Sequence, residues 1–215
     1  MRCSHVLVKV EDLHRAVRDF RDLGFVVHYA TAERRARHAH VWFESGPIIE
    51  ILTTPPGGRF LRRPLDLAFG RGSGARMIRW ARSGEGFCDV ALLAEDLDRP
   101  GVGRRVDWTR TTAGGATTRF SFAYPRHDRV PFLVTPYDPP QHPATITHPN
   151  GATALSRVHL DVAPADRAAF DDLVAAGDDI VVHSAASTGV RAIELAGLTR
   201  ELDRGLLHGA VVLAA

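Results

Sequence analysis

Lysine is nearly missing from this chain. Lys9 is the only one, and every other permanently basic side chain is arginine. Arginine and alanine in excess at lysine's expense reflect a GC-rich genome more than a binding surface. The net charge is only +2, which excludes the broad basic field that draws nucleic acid. "ERRARHAH" is a short basic run, but acidic residues flank it and no aromatic ladder follows, so it reads as a solvated loop. Cysteine is also scarce. Cys3 and Cys88 lack zinc-type spacing and read as small buried hydrophobes, not as a structural disulfide. No apolar run approaches the roughly 18–20 residues that span a bilayer, and "MRCSHVLVKV" lacks a signal peptide's apolar core. A cytoplasmic protein without membrane contact is expected. No G-x-S-x-G elbow occurs, and "GRGSGAR" lacks the Lys-Ser/Thr of a phosphate-binding loop.

What is present is a patterned chain of ordinary globular composition. It has 215 residues, of which 45% are hydrophobic, enough for one large domain or two small ones. "CSHVLVKV" alternates, with Val6, Val8 and Val10 on one face and His5, Leu7 and Lys9 on the other. A helix follows, with Asp12 as N-cap, an apolar stripe of Leu13, Ala16, Val17 and Phe20, and Gly24 at its C-terminal turn. The runs "FVVHYATA", "HAHVWFES" and "PIIEILTT" complete β-α-β-β-β over residues 1–54. Residues 55–86 are rich in Gly, Pro and Arg. Only "ARMIRWARS" among them looks helical, and the rest reads as a connector over a cleft.

At Phe87 the opening returns. "CDVALLAEDL" lies on "SHVLVKVEDL" without a gap, so Asp89 falls on His5. Pro100, Gly101 and Gly103 interrupt the helix that should follow. "RVDWTRTT", "TTRFSFAYP" and "VPFLVTPY" finish a second unit, residues 87–140. The proline-rich "DPPQHPATITHPNGA" links it to a third, partial copy over residues 155–215. That copy has a helix expected from Pro164 to Ala176, and Arg157 stands at the phase of His5. "HPNG" reads simply as a turn.

Several side chains invite two readings each. Glu50 in "PIIEIL" is costly if it faces a core without a partner, or else it faces solvent. His5 and Asp89 are strand residues or ligands. His38, His40 and Trp42 share one strand face, which holds a metal and an aromatic wall or is merely exposed. His159 shares a face with Arg157 and Asp161, as a salt-bridged surface strand or as part of a site.

The repeated units, the strand histidine, the repeated "EDL", "GPIIEIL" and "VPFLV" resemble the vicinal oxygen chelate superfamily, and within it the glyoxalase-like domain proteins. The resemblance implies an α+β fold in which repeated β-α-β-β-β modules form a curled sheet around a cleft. It also implies a divalent metal ion (Fe, Mn, Zn or Ni) held by His5, Glu50 and Asp89. The fourth-strand position of the second unit falls near Val134 or Thr135, where no strong ligand stands. An imidazole with two carboxylates suits such an ion and leaves positions open for substrate. His40 or His159 is the candidate base, and Trp42 and Arg157 are the candidate substrate contacts. The expected partner is a small molecule, with a homodimer if a second copy completes the cleft. Three functions stay open: a metal-dependent isomerase, lyase or oxygenase; a metal-free protein that binds an antibiotic or metabolite; and a metal-free acid-base enzyme.

Overall fold

A computed structural model describes all residues except 1, 56, 58, 59, 113, 175, 176 and 178. The opening alternation becomes β1 (Arg2–Lys9), and α1 (Leu13–Asp22) follows it. The Asp12 carboxylate accepts from the Arg15 amide at 3.0 Å, capping an otherwise orphan donor. Leu13, Ala16, Val17 and Phe20 are the buried residues of α1, and they join Val6, Val8 and Val10 in one core. Gly24 (φ 88°) ends the turn, and a Cβ there would lie 2.9 Å from the Asn150 nitrogen. Glycine is required at this point by conformation and by space.

The first unit continues through β2 (His28–Tyr29), β3 (His38–Val41) and β4 (Ile48–Leu52). The connector carries two helices, α2 (Arg62–Phe69) and α3 (Ser73–Arg82). Sequence reading found only α3, because Pro64 and the surrounding arginines mask the first. The second unit is β5 (Gly86–Leu93), β6 (Val106–Thr111), β7 (Thr117–Ala123) and β8 (Phe132–Val134). No helix stands between β5 and β6 among the described residues. Pro100 lacks the amide such a helix would need.

These strands form one curled eight-stranded sheet, in the order β2-β3-β4-β1-β5-β8-β7-β6. At its centre β1 pairs antiparallel with β5, and Val6 faces Val90. Val6 and Val90 are also equated by the gapless overlay of the two repeats. The local twofold relating the units therefore passes between them, and His5 and Asp89 are symmetry mates.

The remaining chain gives β9 (Ala154–Val162), α4 (Arg167–Leu173), β10 (Ile180–Ser184), β11 (Gly189–Ala196) and β12 (Val212–Ala214). Helix α4 starts three residues after Pro164, and the end expected at Ala176 lies outside the described residues. This second sheet runs β10-β9-β11-β12. Its order differs from that of a single unit. It reproduces the centre of the large sheet, where β4, β1, β5 and β8 show the same alternation of parallel and antiparallel pairs. Val158, Leu160, Ile193 and Leu195 from its inner face share the core with Val6, Val8, Val90 and Leu92. One side of β1 thus packs on the second sheet and the other lines the concave cleft. Both sides are buried, as in a central strand covered on two faces.

"HPNG" does more than turn the chain. The Val26 amide donates to His148 Nδ1 at 2.9 Å, His148 Nε2 donates to the Trp42 carbonyl at 2.9 Å, and Asn150 donates to the Leu23 carbonyl at 3.1 Å. The loop ties the first unit to the second sheet.

Candidate ligand-binding cleft

The concave face of the large sheet encloses a cavity of about 530 Å³. Its lining is predominantly apolar and includes Leu7, Trp80, Phe120, Phe122, Phe132 and Tyr137. The alternation of "TTRFSFAYP" supplies Phe120, Phe122 and Tyr124 from one strand face. A cluster of ionisable side chains lies in this wall. Glu50 projects from β4 and meets three imidazoles. His5 Nε2 lies 3.2 Å from Oε2, His38 Nδ1 hydrogen-bonds Oε1, and His40 Nε2 is 3.8 Å from Oε1. The registers explain this meeting. His40 pairs with Glu50 directly, while His5 pairs with Ile48 and His38 with Leu52, each two residues from Glu50 and so on its face of the sheet.

Burial decides the protonation states. It pushes the His5 imidazole down to about 4, and the opposing pull of Glu50 does not restore it. Neutral His5 can donate Nε2–H to Glu50 while Nδ1, 3.0 Å from the Ser4 hydroxyl, accepts from it. His40 is lowered by burial too, against a hydrogen bond from Glu50's side that raises it. Burial alone would raise the Glu50 carboxyl. The imidazoles gathered around it, with the His38 hydrogen bond foremost, outweigh that and hold it well below its ordinary value. Glu50 is thus an ionised, well-satisfied carboxylate.

Asp89 has other partners. Its Oδ2 accepts from Arg76 Nη1 at 2.5 Å, from Arg79 Nη2 at 2.7 Å and from Trp80 Nε1 at 2.8 Å. Its Oδ1 accepts from the Val90 amide at 2.9 Å. The donors come from α3 at i, i+3 and i+4, the spacing of one helix face. "ARMIRWARS" carried that signal, but sequence alone could not say that this face would meet Asp89.

The fourth-strand position also resolves differently from the sequence reading. Ala91 is the overlay mate of Leu7, and the residue opposite it on β8 is Phe132. Phe132 therefore occupies the symmetry position of Glu50, where Val134 or Thr135 was expected. Its ring meets His5 edge-on at 5.6 Å.

His40 and Trp42 sit together, with ring centroids 5.4 Å apart. They line a neighbouring cavity of about 420 Å³. His159 and Arg157 are not brought to either cavity. They lie on the face of the second sheet turned away from the core, where Glu194 takes His159 Nε2 at 2.8 Å and Arg157 at 3.2 Å, and His159 Nδ1 lies 2.9 Å from His183.

A model of the glyoxalase-like domain matches residues 3–173. The chain belongs to that family. This glyoxalase-like protein is a vicinal oxygen chelate domain, and its family takes small molecules as substrates or ligands. None of the curated proteins compared with it matches. The crystal structure of a hypothetical protein from Staphylococcus aureus is similar in fold. It has 10% identity and a TM-score of 0.64 over 98% of this chain and 97% of that one. No helix among the described residues is long and apolar enough to cross a membrane.

The metal implied by the superfamily needs donors converging from β1, β4, β5 and β8. This glyoxalase-like protein offers His5 and Glu50 from the first two. From β5 it offers a carboxylate already neutralised by two guanidinium groups, and from β8 a phenyl ring. Among the described residues no group of three or more His, Cys, Asp or Glu side chains is arranged to hold a metal ion. The set His5, Glu50 and Asp89, as placed here, does not fit the group.

Proposed function

We propose that this glyoxalase-like protein is a metal-independent binder of an apolar small molecule. One observation carries the reading: Asp89 is saturated by Arg76, Arg79 and Trp80 while Phe132 stands opposite Ala91, so an aromatic cleft replaces half of a ligand sphere. Aromatic and aliphatic walls with a few placed polar groups are what small-molecule sites need.

Proton transfer at neutral pH is less well served. Efficient acid-base groups have pKa values near the working pH. Burial or its neighbours move His5, His40 and Glu50 to the acid side of their ordinary values. A second reading, a metal-free acid-base enzyme, is favoured by one contact, the hydrogen bond between half-exposed His38 and Glu50 at the cavity wall.

The test is elemental analysis of the purified protein combined with calorimetric titration of a neutral aromatic probe, 1-naphthamide, with and without EDTA. The expected result is substoichiometric metal, and binding indifferent to chelator. Stoichiometric metal, or binding abolished by chelator, overturns the proposal.

A further inference from the structure

Arg110 projects from β6 and lines both the 530 Å³ and the 420 Å³ cavities. Its guanidinium lies over the rings of Phe120 and Tyr137, at 5.7 and 5.2 Å from their centroids. Nη2 donates to the Gln141 side-chain oxygen, and Nη1 is 3.4 Å from His40 Nε2. Nε is buried and has no hydrogen-bond partner. None of these neighbours is a carboxylate. Among the described residues no carboxylate pairs with Arg110. The other two arginines near the cleft differ, since Arg76 and Arg79 both pair with Asp89.

The sign of the missing ligand charge follows from this contrast. Glu50 is the carboxylate that lines the cleft, but its oxygens are already engaged by imidazoles, and His40 approaches both it and Arg110. The negative group is satisfied and the positive group is not. A guanidinium held among aromatic rings wants a planar oxyanion, which it binds through two parallel N–H donors. Ring faces compensate only part of that charge.

We infer that the cleft takes an aromatic or alicyclic carboxylate, with its apolar body among Phe120, Phe122 and Phe132 and its carboxylate on Arg110. The inference rests on the metal-free binding reading and adds the ligand's class.

Calorimetric titration of three probes that share a naphthyl body tests it: 1-naphthoate, its isostere 1-naphthamide, and the cation 1-naphthylmethylamine, against wild type, Arg110→Met and Arg110→Lys. Wild type should bind the carboxylate at least about tenfold tighter than the amide, and the amine weakest. Arg110→Met should abolish that preference, weakening the carboxylate at least about tenfold more than the amide, and Arg110→Lys should retain part of it. Equal binding of carboxylate and amide by wild type overturns the inference but leaves the apolar cleft standing. So does tighter binding of the amine, or an Arg110→Met variant that keeps the carboxylate preference. If Arg110→Met weakens all three probes alike while its thermal melt matches wild type, Arg110 shapes the cleft without reading charge, and the inference is again overturned. Failure of all three probes to bind wild type overturns the binding reading and this inference together.

Discussion

Replacing Asp89 with alanine tests the role the structure gives this residue. The Arg76 side chain is 0% exposed and that of Asp89 is 4% exposed. Deleting the carboxylate leaves a guanidinium fully buried without an anion. The Val130 carbonyl still accepts from Arg76 Nη2 at 2.6 Å, but a carbonyl cannot replace a charge. Arg79 is 23% exposed and can turn to water, so most of the loss comes from Arg76. Breaking a buried pair by removing one partner costs about 3–5 kcal/mol. For a chain of this size that lowers Tm by roughly 6–20 °C. Asp89→Asn keeps an acceptor and should lose less. Asp89→Leu combined with Arg76→Met should recover most of the stability, because apolar side chains of similar volume replace buried ion pairs well. Urea titration of the four proteins, with and without EDTA, gives the numbers. A loss under about 1 kcal/mol for Asp89→Ala would refute the argument, as would a double variant no more stable than the single one. A wild type destabilised by EDTA would return Asp89 to the role of metal ligand.

Two further expectations concern histidines. His5 holds fewer protons folded than unfolded between its ordinary 6.5 and about 4. Stability is therefore full above pH 6.5 and falls through that window by up to about 3 kcal/mol, whereas the contribution of Glu50, lowered in the fold, is lost only at more acid pH. Urea midpoints across the window should drop for wild type and stay flatter for His5→Asn, and parallel curves would refute the assignment. His148→Ala removes the acceptor of the Val26 amide and the donor to the Trp42 carbonyl. It should cost about 1–3 kcal/mol, and hydrogen exchange at Val26 should accelerate. Unchanged exchange there would mean that water replaces the ring.

The strand phases and α1 with its cap were legible in the sequence by itself, because these are local periodicities of 2.0 and 3.6 residues, whereas the curled sheet was what the family resemblance implied. That His5 and Glu50 belong to one site was implied by the resemblance alone, and the parallel pairing of β1 with β4 that brings them together is a feature of the structure. Asp89 was equally visible as the mate of His5, but its chemistry was not. Whether a strand carboxylate meets a metal or two arginines depends on how a helix from the connector folds back over it, and no local pattern encodes that docking. Register misled in the same way on β8, where a two-residue difference in pairing puts Phe132 at the position expected for Val134. Arg157 and His159 had the right phase in a sheet that faces away from the cleft. Sequence reading did not single out Arg110, whose missing counter-charge is a property of what surrounds it in space, which only the tertiary structure decided.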